Sequence, residues 1–330
     1  MSQTRMIALD GARGIAALSV LLFHTLGPEF YTFAHLYIAV DFFFILSGFV
    51  LAPSFARVIN LNTALLFLRS RFLRIFPMVL AIITFTVIYD LLLIGKHQIL
   101  GETHSKPIIL SIPTLIFSLL ILQVFYKPAV LVDYPIWSLS AEWVANILVA
   151  AVDRVFQKKT TFSVILGGLM IICSAPLDSE VLNQIGRAVW GFSIGLIAFE
   201  YQGVYFKHGK SLKVIAALIL PVYISLPLLA GYQSLISIWP FVAGIIILSQ
   251  QRVSINLSKV CTFLGKYSYG FYLWHFPMLS LVGFLLGDLK VKSFSLSVSI
   301  LEITLTALLS LVATRISLEF IEVPIRRRWK

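Results

Sequence analysis

Cysteine and acidic side chains are scarce in this chain, and the scarcity narrows its chemistry. Cys173 and Cys261 are the only thiols in 330 residues, each in or beside an apolar run. They imply neither a disulfide framework nor a cysteine metal centre. The six histidines are scattered, with no H-E-x-x-H spacing and no paired Cys/His set, so no metal is expected. A G-x-S-x-G elbow and a phosphate-cradling glycine loop are both missing, which sets aside serine-hydrolase and P-loop chemistry. Charged residues make up only 12% of the chain, and no basic run interleaved with aromatics stands in a polar module. Nucleic acid is therefore not an expected partner. Long linkers, repeats and low-complexity tracts are absent too, so residues 1–330 are expected to form a single integral membrane domain with no separate soluble domain. The first apolar run lacks a small-residue cleavage site and carries Arg13 and His24 inside it. It is expected to be a retained span and not a cleaved signal.

What is abundant is apolar surface. Hydrophobic residues reach 59%, with a mean hydropathy of +0.93, the composition of a polytopic membrane protein. Apolar runs fall at 7–26, 37–55, 75–95, 108–126, 138–152, 162–175, 185–201, 212–230, 233–250, 268–287 and 296–320, and length and apolarity make each a helix candidate. Lys and Arg outnumber Asp and Glu by 26 to 15. Their clusters lie in 55–75 (Arg57, Arg69, Arg71, Arg74), 153–161, 202–213, 251–266 and the tail Arg326-Arg327-Arg328-Trp329-Lys330. All five are expected on the cytoplasmic side, and the connections 27–36, 176–184 and 231–232, which have no Lys or Arg, outside. Counting inward from both ends leaves one crossing too many, unless 108–126, broken by Pro113, is re-entrant or interfacial. The expected fold is all-α: a polytopic transmembrane helical bundle of about ten spans, both termini cytoplasmic, around a central polar cavity. An eleven-span arrangement with an outside terminus is the alternative.

Several ionisable side chains lie where lipid should reject them. Arg13 and His24 are eleven positions apart, about three helical turns, which puts both on one face roughly 16 Å apart. Asp41 opens the second run. If the first two helices pack antiparallel, its carboxylate could approach His24, fix the ring's tautomer and raise its basicity, as for a general base. A hydrogen bond that only staples two helices is the equal alternative. Ser47-Gly48 is a small polar notch for a neighbour's backbone or a ligand, and a close-packed crossing explains it as well. Arg71 and Arg74 share a face if 66–76 is helical. Paired guanidiniums at the inner surface suit a phosphate-rich ligand, and anionic lipid headgroups suit them too. Glu142, inside Trp137-Ser138-Leu139-Ser140-Ala141-Glu142-Trp143, needs a partner such as an arginine, His24 or a substrate hydroxyl. Tyr272, Trp274 and His275 together make a surface of the kind that stacks on a sugar or adenine. His275 lies mid-span just before the helix-disturbing Pro277.

Five of these stretches, in this order, resemble the motifs of the membrane acyltransferase-3 family. They are Arg13 and His24 with ten residues between, within Leu-Asp-Gly-x-Arg-Gly; Val40-Asp41-Phe42-Phe43-Phe44-Ile45-Leu46-Ser47-Gly48-Phe49; Arg71-x-x-Arg74 with Ile75-x-Pro77; Trp137-Ser138-Leu139-x-x-Glu142; and Leu264-Gly265-x-x-Ser268-Tyr269-x-x-Tyr272-Leu273-x-His275. The resemblance implies transfer of an acyl group, often acetyl, from cytoplasmic acyl-CoA to a hydroxyl of a glycan or lipid-linked sugar at or beyond the outer face. A bacterial inner membrane is the implied location. The resemblance implies His24 as base or acyl relay with Asp41 beside it, and Arg13, Arg71 and Arg74 on the CoA phosphates. Ser47-Gly48 would let the pantetheine or acyl chain pass, and Glu142 would position the acceptor or share proton traffic. Trp137, Tyr272 and His275 would contact the acceptor. Acetyl-CoA or another acyl-CoA is the expected donor, and the chain looks like the stand-alone transmembrane form. Ala141-Glu142-Trp143-Val144 departs from the family's usual Val-Glu-x-x-Phe-Tyr but keeps Glu142. Acyl transfer also needs an oxyanion donor, for which Ser47, Trp137 and Tyr272 are candidates. Apart from the resemblance, a transporter or flippase of an anionic or lipid-linked substrate would use the same buried charges and broken helices without covalent chemistry.

Overall fold

The computed structural model describes residues 6–26, 33, 35–100, 112–126, 134–156, 160–207, 233–249, 253–287 and 296–328. Side chains at 96–100, 203–207, 233–234, 236–239, 296–297 and 326 are left out of the description. The described residues are helical with no strand. Helix α1 (Ile7–Leu26) is followed by a 3-10 turn (His35–Ile38) that leads into α2 (Ala39–Phe55). Next come α3 (Leu61–Leu100), a short α4 (Ile112–Leu119) and a 3-10 turn (Gln123–Phe125). Then follow α5 (Ile136–Val155), α6 (Thr160–Ser174), α7 (Glu180–Lys207), α8 (Gln233–Ser249) and α9 (Ile255–Leu285). Helix α10 (Leu296–Ser317) passes through a π turn (Leu318–Glu322) into α11 (Val323–Arg328).

Among the described residues, five stretches are long and apolar enough to cross a bilayer: Ile7–Leu26, His35–Phe55, Leu61–Gly95, Ile136–Val155 and Val298–Ile325. The protein is an integral membrane protein. The expected span 212–230 lies outside the described residues. Helix α3 starts at Leu61, well ahead of the apolar run 75–95, and runs on through Pro77. Its start is a reciprocal cap: Thr63 N–H donates to Asn60 Oδ1 at 2.9 Å, and Asn60 N–H donates to Thr63 Oγ1 at 3.0 Å. Arg71 and Arg74 therefore do share a helix face. At 40 residues α3 is about 60 Å long, twice the hydrocarbon thickness. Helix α4 has only eight residues, about 12 Å, too short to cross. A left-handed Ile121 (φ 55°) follows it.

The chain divides into two compact units. The first comprises Met1–Val20, His35–Arg69 and Ala141–Ser268. Here α2 and α7 approach backbone to backbone. A Cβ added to Gly48 would strike the Phe192 carbonyl and stand 3.1 Å from the Gly195 Cα. Small residues allow this in lipid, where packing and not water drives helices together. Edge-on ring pairs Phe49–Phe199 (5.3 Å) and Phe55–Phe192 (5.9 Å) flank the crossing. Helix α6 lies on α7 in the same way, with Gly167 against the Trp190 backbone.

The second unit comprises Leu21–Ala34, Ser70–Ser140 and Tyr269–Lys330. The buried stripe of α3 is Ile75, Met78, Val79, Ile82, Ile83, Thr86, Asp90 and Leu93, a spacing of three and four that defines one helix face. Tyr269 of α9 donates to the Ile75 carbonyl (3.0 Å), Trp274 packs on Phe85 (5.2 Å), and Tyr89 donates to the Ser280 carbonyl (3.3 Å). Both residue numbers rise together, so these parts of α3 and α9 run parallel. Trp274 Nε1 donates to Ser317 Oγ of α10 at 3.0 Å. The buried face of α10 is polar, carrying Glu302, Thr306, Ser310, Thr314 and Ser317.

Candidate active site

In the second unit the end of α1 brings His24 among aromatic rings. The imidazole is half-buried. Tyr134 meets it edge-on at 5.7 Å and Phe276 at 5.5 Å. The ring of His275 lies 5.3 Å away, tilted by 33°. His275 itself is wholly buried in α9, and its Nδ1 stands 2.5 Å from the Tyr272 carbonyl. A carbonyl can only accept, so Nδ1 carries the hydrogen and Nε2 is left as a bare lone pair. That Nε2 is buried and has no hydrogen-bond partner among the described residues. One turn earlier, the Tyr272 hydroxyl lies 2.7 Å from Ser138 Oγ, and Ser138 donates to the Pro135 carbonyl at 3.0 Å. Ser140 accepts from Val124 N–H at 3.0 Å and ties the 3-10 turn to α5.

Three residues singled out in the sequence, His24, Tyr272 and His275, thus meet in one cluster. Trp137 lies half-buried in the first turn of α5. Tyr134 and Ser138 were not anticipated as site residues. Ser138 sits inside a motif already recognised, whereas Tyr134 stands in an irregular stretch with no periodic signal.

The first unit holds a second polar group. Ser47 donates to Glu142 Oε1 at 2.5 Å, so one partner of Glu142 is a serine of α2. Short bonds to a carboxylate are among the strong ones. Gly48, the next residue, sets the α2–α7 crossing. Of the two readings open for it, the geometry displays close packing. Asp41 is buried and pairs with Arg187 of α7, Nε to Oδ1 at 2.9 Å. The guanidinium also lies 5.5 Å from the centre of the Tyr37 ring, a cation–π contact. Arg187 was missed in the sequence, although a lone arginine in the apolar run 185–201 is a signal in its own right. Asp41 belongs to the first unit and His24 to the second. Asn146, one turn beyond Glu142 on α5, is fully buried, and neither of its amide atoms has a hydrogen-bond partner among the described residues.

Among the cationic candidates, Arg13 and Arg71 are half-buried and Arg74 is exposed. No group of three or more His, Cys, Asp or Glu is placed to hold a metal ion among the described residues.

Comparison with known proteins adds a family. The family described as "Acyltransferase domain" matches residues 6–318. The chain is 25% identical to the peptidoglycan O-acetyltransferase OatA of Listeria monocytogenes, over 97% of this chain and 56% of that protein. It is 25% identical to the O-acetyltransferase OatA of Staphylococcus aureus, over 97% of this chain and 57% of that protein. It is 30% identical to protein 2 in the picA locus of Rhizobium radiobacter, over 53% of this chain and 98% of that protein. The chain thus spans little more than half the length of the two O-acetyltransferases. No solved structure matches it.

Proposed function

The chain belongs to the acyltransferase-3 family of acyl-transferring enzymes, and on that premise we propose that it is a transmembrane O-acyltransferase of a bacterial plasma membrane. It takes an acyl group, in the simplest case acetyl, from cytoplasmic acyl-CoA and places it on a hydroxyl of a cell-envelope glycan or lipid-linked sugar. The observation that carries this reading is the His24 imidazole, half-buried between aromatic rings and beside a second histidine. A neutral imidazole in such a nest keeps its lone pair for proton abstraction. In the step, the acceptor oxygen attacks the thioester carbonyl as His24 takes the hydroxyl proton. The tetrahedral oxyanion then collapses, the carbon–sulfur bond breaks, and the thiolate recovers the proton from His24 as free CoA. The Tyr272 hydroxyl in the same cluster gives its hydrogen to Ser138 Oγ, so it serves the oxyanion only by turning away from that bond.

The other roles follow from chemistry. Arg71 and Arg74, three apart on α3, and Arg13 on α1 offer bidentate donors to the CoA phosphates. Glu142, held by Ser47, positions the acceptor or passes protons, and Trp137 and Tyr272 contact its sugar rings. Asp41 contributes through its pair with Arg187, which orders α2. About ten crossings, with both termini cytoplasmic and a polar cavity within, belong to this reading. The basic clusters between apolar runs support that orientation.

The test uses protein reconstituted in liposomes with radiolabelled acetyl-CoA and a short chito-oligosaccharide. The expected product is an alkali-labile acetyl ester on the sugar, falling by about 10²–10⁴-fold in His24→Ala. A sugar that crosses the bilayer without acquiring label, or an undiminished His24→Ala, overturns the reading.

A further inference from the structure

We propose that His24 and His275 act as one unit: His275, held in a single tautomer by the Tyr272 carbonyl, accepts a hydrogen bond from His24 and thereby aims the other His24 nitrogen at the acceptor hydroxyl. This rests on the reading of His24 as the base.

The argument starts from hydrogen-bonding capacity. A neutral imidazole has one donor and one acceptor nitrogen. The Tyr272 carbonyl takes the His275 donor at Nδ1, which leaves Nε2 able only to accept. Burying an acceptor without a partner costs free energy, and His275 is wholly buried. Of the two described residues whose rings meet His275, Tyr272 has its hydroxyl engaged with Ser138. The other is His24, at 5.3 Å between ring centres and 33° between planes. At that separation a rotation of the His24 ring brings one of its N–H groups within hydrogen-bond reach of Nε2. The rings of Tyr134 and Phe276 pack on His24 at steep angles, 81° and 74°.

The resulting order runs from the Tyr272 carbonyl to His275 Nδ1–H, from His275 Nε2 to a His24 N–H, and from the second His24 nitrogen to the substrate. It is the logic of a nucleophile–base–orienter array, with a histidine and a backbone carbonyl in the place a carboxylate usually fills. When His24 takes the acceptor's proton it becomes an imidazolium, and its bond to Nε2 becomes charge-assisted and stronger. When the thiolate leaves and takes that proton, His24 returns to neutral. No net proton is gained or lost, and nothing is oxidised. His275 touches no reacting atom in this scheme. It is a positioning residue that works through His24.

The experiment has a structural and a kinetic arm. Protein with ¹⁵N-labelled histidine in lipid bilayers is examined by solid-state NMR, with His24→Ala and His275→Phe spectra assigning the two rings. The expected spectrum shows His275 protonated at Nδ1, and His275→Phe shifts both nitrogens of His24. This arm needs no substrate and stands whether or not the acyl-transfer reading survives. In the acetyl-CoA and chito-oligosaccharide assay, His275→Phe should lower kcat by on the order of 10²-fold with little change in KM. His275→Gln, which returns an acceptor oxygen near the place of Nε2, should recover a large part of that loss. If no variant folds, the His275 ring is assigned through backbone correlations with the preceding Trp274. His275 protonated at Nε2 in the parent protein overturns the proposal. So do His24 nitrogens that ignore His275→Phe, or a loss confined to KM, which would leave His275 as a plain acceptor contact. An active His24→Ala instead removes the premise, and the tautomer result is then read on its own.

Discussion

The Asp41–Arg187 pair allows a test that separates a structural carboxylate from a chemical one. Both side chains are nearly out of solvent, with 6% and 10% exposure. Removing one partner of a buried pair takes from the other charge its ion-pair bond, at a cost of about 3–5 kcal/mol. The two removals should not be equal. Asp41→Ala leaves a guanidinium that cannot shed its proton, whereas Arg187→Met leaves a carboxylate that can neutralise itself by binding one. Asp41→Ala should therefore sit at the upper end of that range and Arg187→Met below it. The Tyr37 ring, 5.5 Å from the guanidinium centre, offsets about 1 kcal/mol of that cost in Asp41→Ala. The double change Asp41→Leu with Arg187→Met removes both charges, keeps most of the volume, and should return stability to within about 1 kcal/mol of the parent. Reversible unfolding in mixed detergent micelles measures all four proteins. Single changes that each cost under about 1 kcal/mol, and that add in the double, would refute the buried-pair reasoning. Acyl transfer by the double variant then decides the role. Restored stability with restored activity makes Asp41 a brace for α2, and restored stability without activity makes it part of the chemistry.

Gly48→Ala drives a Cβ into the Phe192 backbone, which cannot rotate away, and should cost at least about 1–3 kcal/mol by the same unfolding assay. Gly95→Ala, whose added Cβ meets no atom within 4 Å, should gain a few tenths to about 1 kcal/mol from helix propensity. Glu142→Gln should keep the contact with Ser47 but lose its charge assistance. A fall in kcat at unchanged stability marks a chemical role for the carboxylate, and unchanged kcat argues against one. Asp90 is wholly buried in α3, and neither carboxylate oxygen has a hydrogen-bond partner among the described residues. Asp90→Leu should raise the unfolding free energy by about 1–3 kcal/mol, and a loss of stability instead would reveal a partner for the carboxylate.

The site was partly visible in one dimension, and the reason is chemical. Lipid penalises ionisable side chains so heavily that each one inside an apolar run announces itself. His24, Asp41, Glu142 and His275 could be picked out on that ground alone, and by the same rule Arg187 should have been. Partnership was not visible. Asp41 takes a guanidinium 146 positions away. Glu142 finds Ser47, 95 positions earlier. His275 acquires its tautomer from a carbonyl three residues back, and no side-chain pattern encodes that.

Helix α3 shows a similar division. The apolar run 75–95 was plain, but whether the arginine-bearing stretch ahead of it was helical stayed open. Capping by Asn60 and Thr63 and continued backbone hydrogen bonding carry the helix through. Sequence alone determined that this chain lives in a membrane as helices and that a handful of polar groups within it must serve a purpose, because transfer into hydrocarbon is a local cost that each residue bears by itself. Which of those groups answer one another was decided by the tertiary structure, because a hydrogen bond or an ion pair forms only when packing brings two distant atoms to about 3 Å.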